Sequence, residues 1–70
     1  MRLEKMAALA LEKVDFNRYL LSAAVSKRAN QLADGAKPKV EMDIKKHKYT
    51  DIAIVEIAKG LIKVEGIKNN

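Results

Sequence analysis

The side chains that could take part in catalysis are scattered along this sequence rather than grouped. Its carboxylates stand singly, without the pairing that general acid–base catalysis uses. Ser22 and Ser26 fall on one helical face, but no histidine lies near them in sequence and no nucleophile elbow surrounds them. The glycines never cluster into a phosphate-cradling loop; they are Gly35, Gly60 and Gly66. We therefore predict that the chain carries no catalytic residues of its own.

Ligands for metal ions are also scarce. The sequence has no cysteine, which removes disulfides and thiolate metal ligands together. Its single histidine, His47, falls short of the about three or four protein ligands that a zinc site needs. We interpret His47 as an exposed side chain and expect neither a metal nor a cofactor on this chain.

The main chemical feature is an excess of positive charge. The 70 residues include 14 basic and 9 acidic side chains, a formal net charge of +5. A lysine cluster lies between residues 37 and 48, with only Glu41 and Asp43 as acids among Lys37, Lys39, Lys45, Lys46 and Lys48. Such cations suit phosphate contacts, but single-strand binders interleave aromatic rings, and here only Tyr49 lies at the edge. A solvated loop is the favoured interpretation, and a free-standing basic helical nucleic-acid-binding module is the alternative.

Arg28 is the most unusual charged residue, because it falls within the apolar spacing of Leu21, Val25 and Leu32. No acidic residue occurs between positions 16 and 33, so no ion pair within the helix is available to it. Its stem could lie on the core while its head reaches water. Alternatively, the stripe is an interface, where a guanidinium binds carboxylates and carbonyls. The sequence leaves both interpretations open.

Three helices would have to position these residues. Apolar spacing predicts helices over about residues 2–14 and 18–33, and a third that begins near Thr50–Asp51 and ends at Gly60. The intervening loop, residues 36–48, contains a proline and alternates apolar with charged residues. That alternation predicts a short extended segment, over residues 40–44, lying on the domain. The fold class is therefore all-α, a small domain of about three helices joined by a Pro/Lys-containing loop.

Local signals mark the helix ends. Asp15 and Asn17 offer capping oxygens for the second helix, and Thr50 offers a hydroxyl for the third. Gly35 follows the second helix, where a left-handed residue is easily accommodated.

The length of the chain indicates a need for a partner. Residues 1–62 would form a single domain and residues 63–70 a short flexible tail. Folding a chain this short buries only about 60% of its unfolded surface, and a partner is the stabiliser that remains without disulfides or a metal. Apolar side chains also wrap more than half of the second helix, which should be covered on more than one side. No apolar run approaches the about 20 residues that cross a bilayer, so we expect no membrane contact and a cytoplasmic location.

Two blocks of the sequence resemble the omega subunit family of bacterial DNA-directed RNA polymerase. The first is similar to the pattern N-R-[FY]-x-L…[AS]-x-R-A-x-Q, at Asn17, Arg18, Tyr19, Leu21, Ser26, Arg28, Ala29 and Gln31. The second is similar to K-x-x-x-x-A-[IL]-x-E-[IL]-x-x-G, at Lys48, Ala53, Ile54, Glu56, Ile57 and Gly60. The likeness spans residues 8–62, with Asn30 where the family often has arginine.

The resemblance implies an accessory subunit of a nucleotidyltransferase complex rather than an enzyme in itself. Such a subunit clamps the beta-prime subunit and promotes assembly of a core of two alpha, one beta, one beta-prime and one omega. It would support DNA-templated transcription, touch DNA only through the complex, and be nucleoid-associated in the bacterial cytoplasm. The implied interface is Arg18, Tyr19, Leu21, Val25, Arg28, Ala29, Ala53, Ile54, Glu56 and Ile57. Arg2 is a candidate alarmone or phosphate contact, although the start MRLEK lacks the family's Met-Ala-Arg-Val motif.

Overall fold

Three α-helices make up the regular structure of residues 3–64. The computed structural model describes residues 3–64 and contains α1 (Leu3–Lys13), α2 (Arg18–Ala33) and α3 (Tyr49–Ala58). Residues 3–64 contain no strand, so the predicted all-α fold is confirmed. Arg2 and positions 65–70, most of the predicted tail, lie outside the described residues.

The short helix α3 occupies the centre of the domain. It packs against both α1 and α2, which contact each other little. Six of its 10 residues are buried: Ile52, Ala53, Val55, Glu56, Ile57 and Ala58. Apolar residues predominate in α3 beyond its first turn and occur on more than one side of the helix, so its neighbours enclose it. The full burial of Ile52 and of Ile57 contributes about 1.5–3 kcal/mol each.

Within this chain α2 is covered less than α3, so the expectation that α2 is covered on more than one side depends on a partner and stays a prediction. Only Arg28 and Leu32 of its 16 residues are buried. Serine, lysine, asparagine and glutamine interrupt its apolar positions, so one side of α2 remains compatible with water. Part of its apolar surface is consequently left half-buried or exposed, at Leu20, Leu21, Ala23, Ala24 and Val25.

The end of α1 is a Schellman motif built without glycine. The Phe16 amide donates to the Leu11 carbonyl at 2.8 Å, and the Asp15 amide donates to the Glu12 carbonyl at 3.2 Å. Asp15 and Phe16 both have left-handed backbone, with φ of 53° and 62°. Aspartate tolerates this region better than most residues, whereas a bulky aromatic residue rarely enters it. Asp15 therefore ends α1 rather than capping α2.

Asn17 begins α2 as predicted. Its Oδ1 accepts a hydrogen bond from the Leu20 amide at 3.0 Å, which satisfies one of the free donors at the helix start. At the other end, Gly35 has a φ of +106°, a conformation that glycine adopts at little cost.

The start of α3 differs from the prediction. Lys48 is the N-cap residue, with an extended backbone and no side-chain capping bond, so the expected Thr50 cap is wrong. Thr50 already lies inside the helix, because Tyr49 is its first residue. Gly60, with a φ of +70°, follows the end of α3 and agrees with the predicted stop.

The loop between α2 and α3 is irregular rather than strand-like. Val40 and Met42 are half-buried against the domain, whereas Ile44 is 44% exposed. The expectation of an extended segment is therefore wrong in its backbone, although two of the three apolar side chains do lie on the domain.

Candidate functional site

A buried ion pair joins α2 to α3. Arg28 Nε donates to Glu56 Oε1 at 2.8 Å, and Arg28 Nη2 donates to Glu56 Oε2 at 2.9 Å. Arg28 is 8% exposed and Glu56 is 0% exposed. The two parallel bonds match the fork of a guanidinium to a carboxylate, which is the strongest geometry for such a pair. The arginine head thus lies in the interior, and the interpretation that it reaches water is wrong.

The same pair fastens the beginning of the long loop. Arg28 Nη2 also donates to the Lys37 carbonyl at 3.1 Å, and the Lys39 amide donates to Glu56 Oε2 at 2.8 Å. Arg28 Nη1 donates to Gln31 Oε1 at 3.2 Å. Within residues 3–64, no buried side-chain nitrogen or oxygen lacks a partner. The pair therefore holds two helices and a loop in one arrangement.

The protonation of the pair follows from its contacts. Burial alone would raise the pKa of the Glu56 carboxyl, but hydrogen bonds from Arg28 and the Lys39 amide, together with the nearby positive charges, lower it below the ordinary value. The hydrogen bond to Glu56 raises the pKa of Arg28 against the opposing effect of burial. Both groups are charged near neutral pH, so the interior holds a true ion pair.

The 10 residues of the implied interface do not share one exposed surface. Arg18 and Tyr19 are exposed. The half-buried members are Leu21, Val25, Ala29 and Ile54, and the buried members are Arg28, Ala53, Glu56 and Ile57. The buried four hold the fold together in this structure, so they could affect a partner only by positioning other residues. An interface role for the set remains a prediction.

Two grooves adjoin α2 on different sides. One, which we call the junction groove, has a volume of about 420 Å³ between α1 and α2 and is lined by Ala7, Ala8, Leu11, Arg18, Leu21 and Ser22. The other, of about 370 Å³, lies between α2 and residues 62–64 and includes Lys27 and Lys63. Both grooves border the part of α2 that the core leaves uncovered.

Exposed aromatic side chains lie where α1 meets α2. Phe16 is 67% exposed and Tyr19 is 71% exposed. The sequence analysis assigned no role to Phe16. The signal was its position between Asp15 and Asn17, two candidate capping residues, which indicates an exposed ring in the connection between the two helices.

The lysine cluster is exposed, and Tyr49 beside it is 37% exposed. His47 is exposed as expected, and the described part of the chain contains no group of three or more histidine, aspartate or glutamate side chains placed to hold a metal ion. None of the helices within residues 3–64 combines the length and apolar character of a membrane span.

Comparisons with known proteins point to one family. The family model described as RNA polymerase Rpb6 matches residues 10–64. A DNA-directed RNA polymerase subunit omega from a Nitratiruptor species is 68% identical over 65 residues, which cover 93% of this chain and 93% of the relative. The protein of that name from Nautilia profundicola is 51% identical over 67 residues, covering 96% and 100%. The one from Campylobacter lari is 53% identical over 66 residues, covering 94% and 92%. No solved structure matches the chain.

Proposed function

Because this chain belongs to the RNA polymerase Rpb6 family, as an omega subunit of DNA-directed RNA polymerase, we propose that it clamps the beta-prime subunit and promotes assembly of the enzyme core. The complex would contain two alpha, one beta, one beta-prime and one omega subunit. The chain itself would supply no catalytic group and no cofactor, and would meet DNA only through the complex. We place it in the bacterial cytoplasm, at the nucleoid with the polymerase.

The observation that carries this proposal is the near-complete length of the match. The relative from Nitratiruptor aligns with 93% of this chain, so almost every residue of the small domain is accounted for by a polymerase subunit. An activity of another class would have to reside on nearly the same residues.

The structure supports a binding role in a second way. Its core consists of few residues, and apolar side chains remain exposed at Leu3, Leu9, Phe16, Tyr19, Ile44, Tyr49 and Leu61. A partner that covers some of them would stabilise the folded chain by mass action, by about 2.7 kcal/mol when its concentration is about 100 times Kd. The linkage is mutual, so the chain would equally stabilise the bound conformation of its partner.

Reconstitution tests this function directly. Beta-prime would be produced with and without the full chain and then mixed with alpha and beta, and the yield of assembled core would be measured by size-exclusion chromatography. We expect the chain to elute with beta-prime and to raise the yield of core. Failure of the chain to elute with any polymerase subunit would contradict the proposal.

Reversing charges in the lysine cluster distinguishes this function from the alternative of nucleic-acid binding. A variant with Lys45→Glu and Lys46→Glu changes two exposed cations of the lysine cluster. A clamp should elute with beta-prime as before, whereas a phosphate-binding module should lose affinity and show a shallower dependence on salt.

A further inference from the structure

We propose that the junction groove binds an apolar segment of the beta-prime subunit that carries an acidic side chain opposite Arg18, with Phe16 and Tyr19 at its border. This inference rests on the proposed function and assigns it a specific surface. The two aromatic residues are tied to the groove through the backbone, because the Phe16 amide donates to the carbonyl of Leu11, which lines the groove, and Tyr19 directly follows Arg18. Arg18 lies between the two aromatic residues in sequence and lines the groove itself.

The backbone at the junction is strained next to an exposed aromatic side chain. Two consecutive non-glycine residues, Asp15 and Phe16, have left-handed φ values, which are disfavoured by their Cβ atoms. The Phe16 ring nevertheless is 67% exposed and is not among the residues that pack on the buried cluster. Strained backbone that the surrounding structure maintains is concentrated at sites of binding and function. The positive φ values and the exposed Phe16 are two separate observations that mark the same junction as a binding surface.

The charge of the groove specifies the chemistry of its occupant. Of the described residues, Arg18 is the only charged one that lines the groove. Among residues 3–64 the single ion pair is that of Arg28 with Glu56, and no hydrogen bond of Arg18 side-chain nitrogens is present. A guanidinium beside apolar walls binds a carboxylate more strongly than one in open water, because both groups lose solvent screening. An apolar segment with one acidic side chain therefore complements the groove.

A protein segment fits this surface better than a nucleic acid strand. Rings next to an arginine also occur where bases stack. Here, however, Arg18 is the single charged side chain among the described residues that line the groove, whereas a nucleic acid strand needs cations that follow its successive phosphates. Tyrosine and arginine are instead among the residue types enriched at protein-interface hot spots.

A matched pair of charge reversals tests the inference. The full chain would be titrated against polymerase core assembled without it, and Kd would be measured by fluorescence anisotropy. We expect Arg18→Glu to weaken binding by about tenfold or more. Lys27→Glu makes the same change in net charge on the same helix, outside the junction groove, and should weaken binding by less than about threefold.

A matched pair of bulky substitutions gives a second, uncharged test. Ser22 lines the groove and Ser26, one turn later, does not, and both are exposed. Ser22→Trp would fill the groove and should weaken binding by about tenfold or more, and Ser26→Trp should have less than about a threefold effect. Unfolding followed by circular dichroism would verify that all four variants are folded.

The outcomes separate the proposed function from the proposed surface. Wild-type chain that does not bind the core at all would overturn the proposed function. Wild-type binding that is insensitive to both Arg18→Glu and Ser22→Trp would overturn only the placement in the junction groove. Equal losses from Arg18→Glu and Lys27→Glu, or binding abolished by nuclease treatment, would also overturn it, in favour of general electrostatics or a nucleic acid occupant.

Discussion

Replacing Glu56 with glutamine tests how far the fold depends on its buried ion pair. Glutamine has the same shape but carries an NH2 group on one side. In one orientation that group faces the Arg28 Nε donor, and in the other it faces the donors of Arg28 Nη2 and the Lys39 amide. Either way donors oppose each other, and the buried guanidinium loses its counter-charge.

The magnitude of this loss is large for a chain of this size. Removing one partner of a buried pair costs about 3–5 kcal/mol. At about 0.05–0.15 kcal/mol per residue, 70 residues have a total stability of about 3.5–10.5 kcal/mol. We therefore expect Glu56→Gln to lower the free energy of unfolding by about 3–5 kcal/mol, which is comparable to the whole stability at the low end of that range.

Urea unfolding followed by far-ultraviolet circular dichroism would measure the change, since the chain has no tryptophan for fluorescence. Glu12→Gln and Lys27→Met alter exposed residues of α1 and α2 as controls, and should shift stability by no more than about 0.5 kcal/mol. The double variant Arg28→Met, Glu56→Leu should recover much of the loss, because an apolar pair leaves no charge buried. If Glu56→Gln lowers the free energy of unfolding by less than about 1 kcal/mol, the pair contributes no more than an exposed ion pair does, and the fold does not depend on it.

Three further predictions concern pH and the helix ends. The pKa of Glu56 is lower in the folded chain than in the unfolded chain, so the stability that the ionised carboxylate contributes should be complete above about pH 4.3 and be lost as the pH falls further. Thermal unfolding across this pH range should show the loss in the wild type and not in Glu56→Gln. Asp15→Gly should raise the free energy of unfolding by up to about 1 kcal/mol, because glycine removes the Cβ penalty at a φ of 53°, and a lower melting temperature would contradict this. Asn17→Ala should lower stability by about 1 kcal/mol through loss of the cap to the Leu20 amide. Urea unfolding would measure this loss beside Asn30→Ala, an exposed asparagine in the last turn of the same helix that makes no N-cap bond.

Short-range signals in the sequence predicted the helices well. The bounds of α2 coincide with the predicted residues 18–33, and Asn17 caps that helix as expected. These features depend on residues within a few positions of one another, so the sequence contains the whole cause. The missed cap at Thr50 was an error of one or two residues in where α3 begins, which is the usual precision of helix ends.

Long-range packing explains what the sequence analysis missed. Arg28 lacks an acidic neighbour on its own helix, and its counter-charge lies 28 residues away. The signal was present as two lone charges of opposite sign, Arg28 and Glu56, each set in an apolar stripe of a different helix. Their pairing could be inferred only with the relative placement of α2 and α3, which no local pattern supplies. The junction groove is likewise a product of how α1 and α2 diverge around α3.

The central position of α3 dictates the order in which the chain can fold. Since α1 and α2 hardly touch, neither can bury its apolar face before α3 has joined them. Yet α3 is the last of the three helices to be synthesised. The nascent chain therefore has no core until residues 49–58 are made. The entropy of closing a loop of dozens of residues is lost before packing against α3 stabilises the chain. Folding therefore follows the synthesis of α3, and a chain truncated before Tyr49 lacks the helix against which α1 and α2 pack.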